Sequence, residues 1–170
     1  MHLPLDSAEE MESKSQPFFH RSGRTILGAI GAIDGVVFEI AQPSLLDVPN
    51  PQDYRNRKVP WAVVYQVICD AHTRVMWASC HNIGNTNDHM AFGCSGLASR
   101  LAANPVPWPY YLLGDDAYKA FASIVTPFPG TSLTVSEDAF NFYHKRTRIT
   151  VERCFGIIKN GSDCSSGPAT

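Results

Sequence analysis

Short apolar runs bounded by turn residues predict the strands of this chain. Residues 25–40 are rich in Ile, Val, Phe and Gly on both sides of Asp34, a pattern typical of a central strand buried on both faces. Residues 61–69 and 74–80 are two mostly apolar runs joined by a polar turn that contains Asp70 and His72, which predicts a β-hairpin. After a proline-rich segment, residues 110–113 form a further apolar run that predicts a buried strand.

Apolar positions spaced three and four residues apart predict two helices. The first covers residues 90–103, and we expect Asp88 to cap its start, with a metal-binding role for Asp88 left open. The second begins near Ser136, where a hydroxyl and two acidic residues suit a helix N-terminus. Its core-facing positions are Phe140, Tyr143, Thr147, Val151, Phe155 and Ile158. Strands and helices in this order predict an α/β fold with a mixed sheet.

Three acidic residues lie on three separate predicted elements. Asp115 follows the strand at 110–113, Asp34 lies within the strand at 25–40, and Glu152 lies in the last helix. Because open α/β sheets carry their chemistry at the carboxyl ends of strands, we expect these carboxylates to converge. Asp34 and the glycine after it also have the composition of a hairpin turn, and this alternative stays open. Asp116 is expected to point to the opposite face from Asp115.

The composition indicates one globular domain with reduced cysteines. A chain of 170 residues with 44% hydrophobic content is long enough for a single core. Its five scattered cysteines predict free thiols in an intracellular protein, and His81 and His89 near Cys80 and Cys94 lack the spacing of a zinc site. No apolar run reaches the length of a membrane span and no secretory pattern is present, which predicts a soluble protein.

Positive charge is concentrated in the last predicted helix. The whole chain has a net charge of −2 and a pI of about 6.3, so its overall balance does not mark a nucleic-acid-binding protein. Between residues 141 and 160, however, Glu152 is the only acidic residue, whereas the basic residues are Lys145, Arg146, Arg148, Arg153 and Lys159. A basic helix beside acidic residues suits a phosphodiester substrate; a solvated helix face is the alternative that stays open.

Three dispersed motifs resemble one known family. They are Gly-Ala-Ile-Gly-Ala-Ile-Asp-Gly at 28–35, Leu-Leu-Gly-Asp-Asp-Ala-Tyr at 112–118 and Val-Glu-Arg-Cys-Phe-Gly at 151–156. In this order and at this spacing they resemble the DDE endonuclease domain of Harbinger-type transposases and their domesticated relatives. The basic segment 54–58 and the loop 84–88 also resemble parts of that family. Two features depart from it: Val36-Val37 replaces a polar pair that usually contains histidine, and Asp116 replaces a usually small residue.

The resemblance implies an RNase H-like fold and a metal-dependent reaction on DNA. The catalytic residues and metal ligands would be Asp34, Asp115 and Glu152, holding Mg²⁺ or Mn²⁺, because these ions prefer carboxylate oxygens and relieve the repulsion between them. Two such ions would support cleavage or strand transfer at a DNA phosphodiester bond, as in a nuclease or transposase. DNA phosphate contacts are expected from Lys145, Arg146, Arg148 and Arg153.

The resemblance also sets expectations about organisation and partners. We expect a poorly ordered or residual helical segment at 1–24, an endonuclease-like domain at 25–160 and a disordered tail at 161–170. No helix-turn-helix region fits ahead of the domain, so we expect a fold truncated at both ends that depends on a separate DNA-binding protein for targeting. A nuclear protein is implied, with the cytoplasm and the oligomeric state left open. The alternative is a domesticated or decayed remnant that serves as a non-catalytic DNA- or protein-interaction module. A metal phosphohydrolase acting on small molecules fits the carboxylates but not the basic helix.

Overall fold

The structure, a computed structural model, describes residues 3–163 and all side chains in that range except those of residues 81, 82, 162 and 163. The helices are α1 (Ala8–Arg21), α2 (Asp88–Gly93), α3 (Gly96–Ala103) and α4 (Val135–Asp163). The strands are β1 (Ala29–Glu39), β2 (Ala62–Cys69), β3 (Val75–Ile83), β4 (Tyr111–Leu113) and β5 (Ile124–Val125). Two short 3₁₀ helices lie at Pro51–Tyr54 and Asp116–Tyr118.

The five strands form one mixed sheet in the order β3-β2-β1-β4-β5. β1 pairs antiparallel with β2, and β2 pairs antiparallel with β3, which forms the predicted hairpin. β4 runs parallel to β1, and β5 runs parallel to β4. β1 is therefore the central strand, with an antiparallel pair on one side and two short parallel strands on the other. The predicted fold class, an RNase H-like α/β fold with a mixed sheet flanked by helices, is confirmed.

Helices bury both faces of this sheet. The hydrophobic cluster on one face includes Met11, Ile33, Ile68, Phe92 and Leu97. The cluster on the other face includes Phe18, Ala32, Cys69, Leu113 and Val151. Ile33 and Ala32 are neighbours on β1, and successive side chains of a strand point to opposite faces. This explains why β1 is apolar at consecutive positions instead of alternating with polar residues.

The long helix α4 packs on the sheet through the face that the sequence predicts. Thr147 and Val151 are fully buried, and Phe140, Tyr143, Phe155 and Ile158 pack around them. The helix begins at Val135, one residue before Ser136, and its capping hydroxyl belongs to Thr134 and not to Ser136. The Thr134 hydroxyl accepts a hydrogen bond from the Glu137 N–H at 3.3 Å, and the Glu137 carboxylate accepts one from the Thr134 N–H at 2.8 Å. This reciprocal pair is a capping box.

The first turn of α2 also differs from the prediction. Asn87, not Asp88, caps this helix, and its side-chain oxygen accepts a hydrogen bond from the Met90 N–H at 2.9 Å. The prediction that Asp88 is the cap is therefore wrong. Because asparagine and aspartate are both good N-caps, the local sequence does not distinguish Asn87 from Asp88 as the cap. The consequence is that the Asp88 carboxylate is available for contacts elsewhere.

A helix lies near each end of the described chain. Within the segment 1–24, α1 packs into the sheet through Met11 and Phe18, both buried. The predicted tail at 161–170 overlaps the end of α4 at Asp163, and residues 164–170 lie outside the described residues. None of the helices between residues 3 and 163 combines the length and the apolar character needed to cross a membrane.

The cysteines of the described range carry free thiols, as predicted. They are Cys69, Cys80, Cys94 and Cys154. Cys69 and Cys154 are buried, and burial raises the pKa of both thiols, which keeps them protonated and unreactive. Cys164 and the side chain of His81 lie outside the described part of the chain.

Candidate metal centre

Asp34 lies in the middle of β1, which rules out the hairpin alternative. On one side its backbone pairs with Val67 of β2. On the other side the pairing with β4 stops at Ala32 and Leu113, two residues before Asp34. The Asp34 carboxylate therefore lies where the neighbouring parallel strand has ended, and its side chain is only 15% exposed.

Asp115 belongs to the loop that follows β4. Its Oδ1 accepts a hydrogen bond from the Ala117 N–H at 3.0 Å and caps the 3₁₀ helix, which leaves Oδ2 for other contacts. The next residue, Asp116, faces away: its side chain is 68% exposed and lies 3.6 Å from Lys119. The two adjacent carboxylates thus have different partners, because Asp115 caps the 3₁₀ helix and Asp116 begins it.

A third carboxylate, from Asp88 at the start of α2, joins Asp34 and Asp115. One carboxylate oxygen from each of the three residues lies within 4.8 Å of the other two. Gly35 makes this approach possible, since a Cβ at this position would collide with Asp88 Oδ1. The contact joins Gly35 of β1 to a residue 53 positions further along the chain, so no local pattern reveals it. The sequence signal that was available is the resemblance of loop 84–88 to the family's loop ending in aspartate.

A buried polar network orients the Asp88 carboxylate. Gln66 of β2 donates a hydrogen bond from Nε2 to Asp88 Oδ1 at 2.9 Å, and its Oε1 accepts one from the Tyr118 hydroxyl. Gln66 and Tyr118 are both fully buried. Each polar atom of this chain of contacts has a partner, as burial requires. The network therefore holds the Asp88 carboxylate in place beside Asp34 and Asp115.

Glu152, the third predicted ligand, lies near the cluster but not in it. Its side chain is 60% exposed on α4, and its Oε1 is 4.0 Å from Nη2 of Arg148, one helical turn earlier. The other end of the same guanidinium, Nη1, is 3.3 Å from Asp34 Oδ2 and 3.9 Å from Asp115 Oδ2. Arg148 thus lies between Glu152 and the aspartates. The structure brings together Asp34 and Asp115, adds Asp88, and leaves Glu152 at the rim.

The environment of the cluster disfavours negative charge. Burial raises the pKa of Asp34 to about 6, and the carboxylates of Asp115 and Asp88 add to this shift, against the opposing effects of Arg148 and of the Gly35 N–H. Burial also raises the pKa of Asp88, with Asp115 contributing and the Gln66 hydrogen bond opposing. Such groups either bind a proton and become neutral or are stabilised as anions by a nearby cation.

Asp70 shows what a structural carboxylate looks like in the same protein. It accepts hydrogen bonds from the backbone N–H groups of His72 and Arg74, and it pairs with the side chains of Arg74 at 2.8 Å and Lys14 at 3.2 Å. Burial alone would raise the pKa of Asp70, but these bonds outweigh it and lower the pKa. The predicted turn role of Asp70 is confirmed, and its contacts leave no capacity for a ligand.

The donor set of the cluster fits a hard divalent cation. Mg²⁺ and Mn²⁺ prefer carboxylate and water oxygens, and the three aspartates provide three such groups converging on one point. Nη1 of Arg148 is buried beside them without a hydrogen-bond partner among the described residues. A buried guanidinium nitrogen without a hydrogen bond beside three carboxylates is typical of a site whose full set of partners includes a further group.

The predicted phosphate contacts divide into two groups on α4. Arg148 lies within the acidic cluster, and its side chain is only 16% exposed. Arg146 and Arg153 lie on another helix face, seven residues apart, and line a pocket of about 290 Å³ with Arg21 of α1. Lys145 is exposed. A second groove, of about 330 Å³, runs beside Asp88 and is lined by the basic Arg57 and Lys58.

Fold and site together define an α/β domain with a carboxylate cluster beside its central strand. Residues 33–164, more than half of the chain, match the family described as DDE superfamily endonuclease. The protein belongs to this family. The match includes Asp34, Asp88, Asp115 and Glu152. Searches of curated proteins and of solved structures each found no match.

The raised pKa of Asp34 gives a stability prediction for the metal-free protein. The folded state binds a proton more tightly at Asp34 than the unfolded state does, so stability falls as pH rises from about 3.8 to about 6. We expect Asp34→Asn to raise the free energy of unfolding near pH 7.5 by about 3 kcal/mol, an advantage that disappears near pH 4. Urea denaturation with chelator at both pH values measures it.

Asp70→Asn is the matched control, because its pKa is shifted in the opposite direction. The Asp70 contribution is present above the pKa of the unfolded state and is lost as pH falls through the folded pKa. This substitution is expected to lower stability near pH 7.5 by about 1–3 kcal/mol, since it weakens the bonds from Arg74 and Lys14. A loss of stability in Asp34→Asn similar to that in Asp70→Asn would contradict our description of the cluster.

Proposed function

We propose that this protein is a metal-dependent DNA endonuclease or transposase-like enzyme that cleaves or joins phosphodiester bonds. The observation that carries this proposal is the convergence of Asp34, Asp88 and Asp115 in a chain that belongs to the DDE superfamily endonuclease family. Asp34 and Asp115 act as principal metal ligands, and Glu152 completes the site. When bound, two Mg²⁺ or Mn²⁺ ions would activate a water or a DNA 3′-hydroxyl as the nucleophile and would stabilise the leaving oxygen.

The chain's own residues prepare this site in three ways. Asp34 and Asp115 are fixed by β1 and by the cap of the 3₁₀ helix, so their carboxylates need little reorganisation. Gln66 holds Asp88 in position, and Asp88 supplies a further carboxylate that increases the attraction for a cation. Glu152 lies on the solvent-facing side of α4 at the rim of the site, where a substrate can reach its carboxylate. No covalent intermediate with the enzyme is needed.

We propose that the DNA backbone contacts basic residues outside the acidic cluster. Arg146, Arg153 and Lys145 on α4 are exposed and form no ion pair within 4 Å among the described contacts, so their charges are free for phosphate oxygens. Arg21 adds a third guanidinium to the pocket of Arg146 and Arg153. Because the net charge of the chain is −2, DNA affinity is weak and independent of sequence, and a separate DNA-binding protein supplies targeting in the nucleus.

A non-catalytic interaction module is the second candidate function. The observation in its favour is the position of Glu152, which is exposed and outside the group of three aspartates. In this case the fold serves as a DNA- or protein-binding unit without cleavage. Purified protein incubated with supercoiled plasmid and Mn²⁺, with and without chelator, distinguishes the two. Chelator-sensitive nicking supports the enzyme, and DNA binding without any nicking supports the module.

Substitution of single carboxylates tests the proposed ligands. We expect Asp34→Ala, Asp115→Ala and Glu152→Ala each to abolish Mn²⁺-dependent plasmid nicking, with little further loss when they are combined, because metal ligands act as a unit. Asp116→Ala is the matched control, since its carboxylate is exposed beside Lys119, and it should keep most of the activity. If Asp116→Ala removes nicking and Asp115→Ala keeps it, with both variants folded, the ligand assignment is wrong by one residue.

A salt titration tests the proposed DNA contacts. Each lost phosphate contact reduces the slope of log affinity against log salt by about 0.9, so Arg21→Gln, Arg146→Gln and Arg153→Gln together should flatten it by up to about 3. Fluorescence anisotropy with duplex DNA gives this slope. Arg100→Gln is the control, because Arg100 lies on α3 and is already paired with Asp6. Equal slopes for the triple variant and the control would contradict the assignment, as would tight, sequence-specific binding at high salt.

A further inference from the structure

The Arg148 guanidinium lies between Glu152 and the aspartates that are proposed to bind metal with it. Nη1 is 3.3 Å from Asp34 Oδ2 and 3.9 Å from Asp115 Oδ2, whereas Nη2 is 4.0 Å from Glu152 Oε1. With 16% of its side chain exposed, Arg148 is more buried than any other member of this group except Asp34. Glu152 therefore has no direct path to Asp34 and Asp115 while Arg148 is in this position.

The contacts of Arg148 are not those of a permanent structural ion pair. Arg74 provides the comparison: its Nε and Nη2 both lie 2.8 Å from Asp70 Oδ2, so its fork is matched to one carboxylate. Arg148 is matched to none of its three partners, and its buried Nη1 makes no hydrogen bond within the described part of the chain. The attraction of several carboxylates holds this guanidinium, rather than well-aligned hydrogen bonds to one of them.

A divalent cation and Arg148 would compete for the same oxygen atoms. A cation bound by Asp34 and Asp115 would stand next to Oδ2 atoms that Nη1 now faces, and two positive groups so close in a partly buried site repel strongly. The side chain of Arg148 is long and flexible, and α4 exposes Glu152 one turn further on. Rotation about the side-chain bonds of Arg148 is the movement by which it would leave the cluster.

We propose that Arg148 is a positioning residue that occupies the place of the metal cation in the metal-free protein and is displaced when metal enters. Its departure frees Asp34 and Asp115 and opens the path by which Glu152 completes the site. This inference rests on the proposed function, because it concerns access to the same metal centre. It assigns Arg148 to assembly of the site instead of to a surface contact with DNA.

Metal affinity tests this role without any measurement of activity. Titration of the protein with Mn²⁺, followed by the electron paramagnetic resonance signal of the free ion, gives the dissociation constant directly. Removal of the competing cation in Arg148→Met should tighten Mn²⁺ binding by about tenfold or more. Arg148→Lys keeps the positive charge, but a lysine ammonium is not a planar group that can contact the aspartates on one side and Glu152 on the other. The increase in Mn²⁺ affinity should therefore be smaller than in Arg148→Met. Arg100→Met, which removes a distant arginine, should bind as the parent does.

A double-mutant cycle with Glu152→Gln tests the second half of the inference. In the parent, Arg148 keeps Glu152 away from the cluster until metal displaces Arg148. The contribution of Glu152 to the free energy of metal binding is therefore partly offset by the cost of that displacement. Glu152→Gln should therefore weaken Mn²⁺ binding more in the Arg148→Met background than in the parent. Equal effects in both backgrounds would contradict the proposed path for Glu152.

The remaining outcomes are also decisive. If the parent binds Mn²⁺ and the folded Arg148 variants bind it no more tightly, the inference is wrong while the metal centre stands. If neither the parent nor any Arg148 variant binds Mn²⁺, the proposed metal centre fails and the inference fails with it. If Arg148→Met is unfolded without metal, Mn²⁺ should restore its circular dichroism spectrum; failure to do so would make Arg148 a structural residue and overturn the proposal.

Discussion

The close approach of Asp34, Asp88 and Asp115 is the constraint on which the rest of the site depends. Three carboxylate oxygens within 4.8 Å of one another repel, and burial makes the charges of Asp34 and Asp88 more costly. Several local features are necessary for this arrangement. β4 ends at Leu113 and leaves room beside Asp34, residue 35 is glycine, and Gln66 supports Asp88 from the buried side.

The comparison with Asp70 separates a carboxylate that stabilises the fold from carboxylates that do not. Asp70 is bound by two basic side chains and two backbone N–H groups, and these lower its pKa. Burial raises the pKa of Asp34 instead, and the opposing effects of Arg148 and the Gly35 N–H offset only part of this shift. A protein that folds in spite of this unfavourable cluster gains stability when a cation binds there, since binding to the folded state alone stabilises it.

The sequence predicted those parts of the site that depend on single elements. The apolar runs around Asp34 and before Asp115 identified a central strand and its neighbour, and the three-and-four spacing on α4 identified the buried face that leaves Glu152 outside. Asp88 was predicted to cap α2, because Asn87 and Asp88 are both suitable caps and only the tertiary contacts with Gly35 and Gln66 distinguish them. The insertion of Arg148 between Glu152 and the aspartates likewise depends on how α4 packs on the sheet, which spacing along one helix does not specify.

The claim that these carboxylates form a divalent metal centre is tested most directly by crystals of the protein soaked in Mn²⁺. An anomalous difference map calculated from such crystals should contain a peak within about 2.0–2.3 Å of carboxylate oxygens of Asp34 and Asp115. The same map should show the Arg148 guanidinium withdrawn from both residues. A peak confined to exposed acidic residues such as Asp6 or Asp47, or no peak at a saturating concentration of Mn²⁺, would contradict the account.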